Sequence, residues 1–316
     1  MILSNYVNTF GQSMLKKHQQ RIHKIAIDAD FTCPNRDGTI GRGGCTFCNN
    51  VSFSPNGRQP APLLQQINAG RNVIIKRTRA KKYLAYFQAY TNTYADPEIL
   101  KNIYDNALSD PDVIGLCIGT RPDCVPAKVL DLLSDYQNKG YEIWLELGLQ
   151  SSYDATLKRV NRGHDYASYC KAIKAAHSRN LSVCTHLIVG LPGENNSHAK
   201  INLLRVLEQG VEGLKIHPLH VVKGTQLANE WRRGEYQPLS LKEYINTVAD
   251  LVALTPKEII FHRLTGTAEK SILLAPEWCS QKWNVLNGIT AELKQRGHSQ
   301  GIKYGEHSTW QRQIIN

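Results

Sequence analysis

Cys33, Cys45 and Cys48 form the most chemically pointed pattern in this sequence, a C-x11-C-x2-C spacing inside a glycine-rich stretch, Cys33-Pro-Asn-Arg-Asp-Gly-Thr-Ile-Gly-Arg-Gly-Gly-Cys45-Thr-Phe-Cys48. Thiolates are soft ligands that suit zinc or iron–sulfur clusters, and three of them leave one coordination position for something else. What fills that position decides the chemistry. A histidine such as His18 or His23 would close a structural zinc site. With no protein ligand, a four-iron cluster would keep one iron open to a small molecule. A disulfide between Cys45 and Cys48 is the third option, and it leaves Cys33 and the glycines without a purpose. Cys117, Cys124, Cys170, Cys184 and Cys279 show no metal spacing and read as ordinary thiols.

Around this loop, apolar stretches alternate with helical ones, the pattern of a parallel sheet covered by helices. Strands are expected over 22–28, 83–90, 113–120, 141–150, 181–190 and 213–219, with a shorter one over 258–262. Asp96-Pro97 opens the helix before the third strand, and Ser240 with Glu243 forms a capping box for the helix before the last. No repeat or Pro/Gly linker divides the region, so a single barrel-like α/β domain is expected.

Period-two reading sorts the strand residues by face. Leu145, Leu147 and Leu149 point one way; Glu146, Gly148 and Gln150 point the other. Tyr86, Gln88 and Tyr90 share a face in the second strand, Gly115, Cys117 and Gly119 in the third, and Lys215 and His217 in the sixth. A closed barrel normally fills its lumen with branched apolar side chains. Four strands presenting small and polar residues instead predict an internal ligand site.

Composition narrows the classes. At 316 residues with 41% hydrophobic and 21% charged residues, the chain supports a sizeable core, and no apolar run approaches the roughly 18 residues that span a bilayer. A membrane partner is not expected. Lys and Arg outnumber Asp and Glu by 38 to 27, a formal charge of +11 that favours a polyanionic partner. Eight cysteines without a signal peptide predict a reducing, cytoplasmic setting. The stretch from Met1 to Ile27 lacks acidic residues and reads as a short basic helix packed on the domain.

Taken together, these residues resemble a known family. The blocks Phe31–Thr39, Gly43–Asn49, Gly119–Cys124, Glu146–Ser151, Asn161–His164, His186–Glu194 and Lys215–His220 are similar to those of the YhcC/YtqA family of radical S-adenosylmethionine (SAM) enzymes, over nearly the whole chain to about Trp283. Several are shared with the radical SAM half of the elongator catalytic subunit, which modifies wobble uridine in tRNA; its acetyltransferase half has no counterpart here. The cysteine spacing departs from the commoner C-x3-C-x2-C of radical SAM enzymes.

The resemblance implies a partial (β/α)6 TIM-like radical SAM barrel over 22–265, an N-terminal helix over 1–21 and a C-terminal helical extension over 266–316. It implies that Cys33, Cys45 and Cys48 ligate a [4Fe-4S] cluster whose open iron chelates SAM, and that one electron cleaves SAM to a 5′-deoxyadenosyl radical. By the same analogy Gln88 and Tyr90 lie near the methionine end, and Glu146 and Gln150 near the ribose. The stretches 188–194, including Gly190, and 217–220, including His217, then lie near the adenine. From the residues alone, Glu146 also reads as a paired structural acid, and His186 and His217 as hydrogen-bonded core histidines.

The substrate expectation is tRNA at a wobble-uridine side chain, with a small metabolite or a protein as alternatives and a reductant such as flavodoxin or ferredoxin as electron donor. It draws on the elongator resemblance, the net charge and a basic cluster, Arg71, Lys76, Arg77, Arg79, Lys81 and Lys82. A non-catalytic iron–sulfur protein and a zinc-bearing RNA-binding module are the rival classes. Arg121 and Asp123 either bind substrate or pair with each other, His262 and Arg263 are expected at the barrel mouth, and the tail over 297–316 reads as a loose terminus.

Overall fold

A computed structural model describes residues 2–49 and 60–306. In chain order the elements are α1 (Phe10–His18), β1 (Ile22–Ile27), α2 (Leu63–Thr78), β2 (Lys82–Phe87), α3 (Pro97–Leu108), β3 (Val113–Thr120), α4 (Ala127–Asn138), β4 (Glu142–Gln150), α5 (Asp154–Arg159), α6 (Tyr166–His177), β5 (Ser182–Val189), α7 (Asn196–Leu207), β6 (Gly213–Pro218), β7 (Val221–Val222), α8 (Gln226–Arg232), α9 (Leu241–Leu254), β8 (Ile260–Arg263), β9 (Leu273–Ala275) and α10 (Lys282–Gln295). β1 to β6 and then β8 lie side by side in sequence order as one seven-stranded parallel sheet, while β7 and β9 form a small antiparallel pair. This is the expected partial barrel, and the short seventh strand lies at its end.

Local chemistry sets several of these boundaries. Asp96 accepts a hydrogen bond from the Glu98 N–H at the start of α3, with Pro97 behind it, and the Ser240–Glu243 capping box opens α9. Outside the sheet, Leu145, Leu147 and Leu149 are fully buried under the helices in the main core. Each such leucine contributes roughly 1.5–3 kcal/mol of transfer free energy.

The inner face holds a different, smaller cluster: Phe10, Met14, Ile22, Leu84, Tyr86, Cys117, Trp144 and Cys184. Phe10 and Met14 come from α1, so this helix plugs the end of the barrel where the strands begin. Phe10 packs edge-on to Trp144 at 6.1 Å and against His262 at 4.5 Å. The Phe261 N–H donates to Asn8 O, which ties the plug to the last strand.

The tail is not loose over its described part. Gln300 is buried; its amide donates to Pro256 O and Ile259 O and its Oε1 accepts from Asn8 N–H, so this segment clamps the N-terminus to the loop before β8. Its sequence carries no recognisable motif because one buried glutamine does this work. Residues 307–316 lie outside the described part of the chain.

Candidate functional site

The strands' carboxyl ends surround a cavity with about 1230 Å³ of open space counted through its mouth. Cys33, Cys45 and Cys48 line one wall; Gln88, Ala89, Tyr90, Thr120, Gly148, Gln150, His186, Ile188, His217, Leu219 and Arg263 line the rest. Three non-glycine residues on this wall hold left-handed backbone, Ala89 (φ 76°), Tyr90 (φ 62°) and Gln150 (φ 78°). Such conformations cost of order 1–3 kcal/mol each and persist where the surrounding structure imposes them. The strand β4 also slips register between Gly148 and Gln150, which turns Gln150 into the cavity.

Backbone and buried polar side chains fix the cysteine loop. Thr46 N–H donates to Val160 O, and Leu227 N–H donates to Thr46 O. Asn35 donates to Asn161 O at 2.6 Å, and Asn161 returns a bond to Gly44 O at 2.8 Å. Arg162 donates to Gly148 O at 2.6 Å and points its other Nη at Cys45 Sγ, 3.6 Å away. Arg36 donates to Cys48 O at 2.6 Å. Burial, and next the neighbouring Cys45, push the Cys48 thiol up to about 11, against the pull of Arg36 and Arg162. Metal binding there must therefore displace protons.

Among the described residues, no three His, Cys, Asp or Glu side chains are placed to hold a single metal ion. The three thiols share one cavity wall. A four-iron cluster takes each thiolate on a different iron, so three cysteines lining one cavity suit such a group. The histidines considered as a fourth ligand are elsewhere. His18 hydrogen-bonds Glu142 at the start of β4, and His23 pairs with Tyr83 at the start of β2, both at the plugged end. The described cysteines are free thiols, so the disulfide option is not realised.

Below the cavity lies a second polar layer. Glu146 is 0% exposed, and its carboxylate meets Lys215, Lys24 at 2.7 Å, His186 at 3.0 Å and His262 at 3.4 Å. Lys215 also donates to Tyr86 OH at 2.8 Å. Burial alone would push the Glu146 carboxyl up, but Lys215 and Lys24 hold it well below the usual carboxylate range. Burial first, then Lys215, pushes His186 down to about 4, and burial with Lys24 lowers His262 further.

These placements divide the expected site residues. Gln88, Tyr90, Gln150 and His217 line the cavity with the three cysteines. Glu146 does not; its carboxylate meets Lys24 and Lys215 in the ion cluster, the pairing that its reading as a structural acid expects. Gly190 does not line it either: its carbonyl accepts from Tyr236 OH, and an added Cβ would meet Leu239 at 3.1 Å. His262 is turned into the lumen instead of the mouth, while Arg263 does reach the cavity. Arg121 pairs with Asp123 at 2.7 Å and also donates to Arg162 O, bracing the loop.

The basic cluster is displaced too. Its residues close α2 and open β2, at the plugged end, and a six-residue strand of about 20 Å separates them from the cavity. Arg71 pairs with Asp110, and Lys82 with Asp112. Sequence reasoning gave no role to Arg162, Asn35 or Lys24. The legible signal for Lys24 was a lysine set, next to His23, inside the strand Ile22–Ile27, whose other residues are apolar.

A sequence profile described as the Radical SAM superfamily matches residues 36–203, and one described as the Radical_SAM C-terminal domain matches 211–295. The chain is 47% identical over 297 residues to Protein YhcC of Escherichia coli strain K12, covering 94% of this chain and 95% of that one. It is 29% identical over 173 residues to the tRNA uridine(34) acetyltransferase of Methanocaldococcus jannaschii, covering 54% of this chain and 31% of that one. Among solved structures it shares a fold with the archaeal Methanocaldococcus infernus Elp3, with a TM-score of 0.66, 21% identity and coverage of 90% of this chain and 67% of that one. No helix among the described residues is long and apolar enough to cross a membrane.

Proposed function

The chain belongs to the radical SAM superfamily, as an enzyme that uses a [4Fe-4S] cluster and SAM, and from that premise we propose that Cys33, Cys45 and Cys48 hold the cluster and that the substrate is the wobble uridine of a tRNA. The carrying observation for the first part is the convergence of three thiols on one cavity whose opposite wall is built from strained Ala89, Tyr90 and Gln150. The second part is supported by the likeness to the tRNA uridine(34) acetyltransferase over half the chain and by the net charge of +11.

When bound, the cluster and SAM supply reductive cleavage of a sulfonium and a carbon-centred radical. The protein's residues provide the setting. Arg162 and Asn35 direct N–H groups at Cys45 Sγ, and Arg36 lies against Cys48, so the negative charge of the ligating sulfurs is met by fixed donors. Gln88, Tyr90 and Gln150 offer hydrogen-bonding groups on the far wall, while Phe47, Ile188 and Leu219 add apolar lining to the space between. Burial holds His186 and His217 neutral, so either ring can exchange a hydrogen bond without adding charge. A one-electron donor of the flavodoxin or ferredoxin type completes the system.

Anaerobic reconstitution tests the first part: about four irons and four sulfides per chain, a brown colour bleached by dithionite, and 5′-deoxyadenosine from SAM are expected. Colourless protein carrying zinc defeats it. Comparing the modified nucleosides of tRNA from cells with and without the gene tests the second. An unchanged wobble position overturns the tRNA substrate and leaves the radical chemistry standing.

A further inference from the structure

The ion cluster under the cavity is not sealed off from it. Lys24, Glu146, Lys215 and His262 stay out of the cavity wall, whereas Tyr86 and His186, which bond to the same cluster, belong to it. Behind the wall these two are joined by three successive hydrogen bonds: Tyr86 Oη to Lys215 Nζ, Lys215 Nζ to Glu146 Oε2, and Glu146 Oε2 to His186 Nε2. Charge decides which way each bond runs. Lys24 and Lys215 both contact the buried Glu146 carboxylate and keep it ionised, so it can only accept. The hydrogen of a neutral His186 ring therefore sits on Nε2, 3.0 Å from that carboxylate, and Nδ1 is left as an acceptor. Nδ1 makes no hydrogen bond among the described residues and is not one of the sealed polar atoms, so it opens on the cavity that its ring lines. An ammonium can only donate. Tyr86 Oη thus accepts from Lys215 at 2.8 Å, and the hydroxyl's own hydrogen has no acceptor among the described residues. An ion cluster that served packing alone would not need to set one donor and one acceptor on a cavity wall.

Resting on the tRNA reading above, we propose that Tyr86 and His186 read the imide edge of the wobble uracil, the Tyr86 hydroxyl donating to a ring carbonyl and His186 Nδ1 accepting from N3–H. Glu146 and Lys215 are positioning residues that fix the direction of both bonds. Enzymes that act on a base within a nucleic acid take it out of the stack and read its pairing edge by hydrogen bonds of this kind. Uracil carries N3–H between two carbonyls, the complement of one acceptor beside one donor. Burial first, then Lys215, pushes His186 down to about 4, so the acceptor stays unprotonated at neutral pH. A buried ion cluster is weak support for a fold by itself. One that locks a tautomer gives the cavity selectivity.

The test is fluorescence anisotropy of two labelled anticodon-type RNA hairpins, identical except that one carries uridine and the other 3-methyluridine at the wobble position. Each is titrated anaerobically with the reconstituted full-length protein, and 5′-deoxyadenosine formed from SAM without RNA is measured alongside. The parent is expected to prefer uridine about tenfold, the worth of one hydrogen bond. His186→Ala should weaken the uridine hairpin about tenfold and leave the methylated one unchanged, so that the preference disappears; His186→Gln, whose amide oxygen can accept, should recover part of it. Tyr86→Phe should weaken both hairpins by a similar factor of about five, since the carbonyls are present in both. In Glu146→Gln the new amide can donate to Nε2 and move the ring hydrogen to Nδ1, so the preference should be lost with His186 still in place, a change that mere loosening of the fold would not single out. Circular dichroism checks that each variant is folded, and the two His186 variants with Tyr86→Phe carry the test if Glu146→Gln is not. Equal binding of the two hairpins by the parent, or a preference that survives His186→Ala, overturns the pair and leaves the tRNA substrate standing. A raised KM for SAM in His186→Ala with the preference intact assigns the acceptor to the cofactor and also overturns it. If the parent binds neither hairpin yet cleaves SAM, the substrate reading falls and the pair with it.

Discussion

The barrel's inner face carries two polar layers, built by the same strands a few residues apart, and they have opposite character. In the lower layer every charge has a partner: Glu146 is surrounded by Lys24, Lys215, His186 and His262, and α1 seals the layer from below. In the upper layer the polar groups face open space: three thiols, Gln88, Gln150, and Arg263 without an ion-pair partner among the described residues. Polarity inside a barrel is thus a poor guide to a site by itself. What marks the site is polarity left unspent, beside backbone held in costly conformations.

This contrast yields predictions that begin with the largest effect. Replacing any one of Cys33, Cys45 or Cys48 by alanine should abolish retention of the cluster, read as loss of iron, sulfide and visible absorbance after reconstitution. Full iron in all three single variants would move the cluster elsewhere. In the lower layer, Glu146→Ala should destabilise the fold by about 3–5 kcal/mol, because it leaves Lys24 and Lys215 buried without an anion. The urea midpoint measures this, and an unchanged midpoint would show that the layer is wetter than its burial implies.

The buried histidines give a smaller, pH-dependent effect. His186 and His220 are pushed down to about 4, and His217 and His262 are also lowered, all by burial first. The folded chain keeps them neutral while the unfolded chain takes up protons near 6.5. Their contribution to stability is therefore complete above pH 6.5 and is lost as pH falls toward 4, by at most about 1.4 kcal/mol per pH unit for each. Glu146, held low, contributes above its ordinary value of 4.5 and loses that contribution only at lower pH. Urea unfolding at pH 7.5 and 5.5 should thus show a lower midpoint at the acid value, while a flat profile would mean that the histidines protonate within the fold. The smallest effect sharpens the comparison most: Arg263→Ala should change stability by less than about 0.5 kcal/mol, since its removal orphans no partner. A loss comparable with that of Glu146→Ala would erase the distinction between the layers.

Much of this was legible before any coordinates. Period-two alternation separated Leu145, Leu147 and Leu149 from Glu146, Gly148 and Gln150, because a strand's faces follow from its pleat alone. The cysteine loop followed from ligand chemistry and spacing. The roles of Glu146 and Gly190 were not legible, since whether an inward group meets a ligand or a neighbour depends on what the other strands and helices present at its level. For Glu146 that means Lys24 from β1 and Lys215 from β6, both distant in sequence. For Gly190 it means Leu239 and Tyr236. The basic cluster misled for a related reason: a helix after a strand runs back toward the sheet's other end, so its last turn lies opposite the strand tips. Gln300 shows the reverse case, a polar residue in an unremarkable tail that holds two distant segments together.

The central claim is that three thiolates from one loop leave a cluster iron free for SAM. Mössbauer spectroscopy of the protein reconstituted with iron-57, recorded with and without SAM, tests it most directly. One iron in four should shift on adding SAM while the other three stay as they were. Four irons that remain indistinguishable and unmoved would mean that a protein side chain already occupies the fourth corner, and the cavity beside it would then need another explanation.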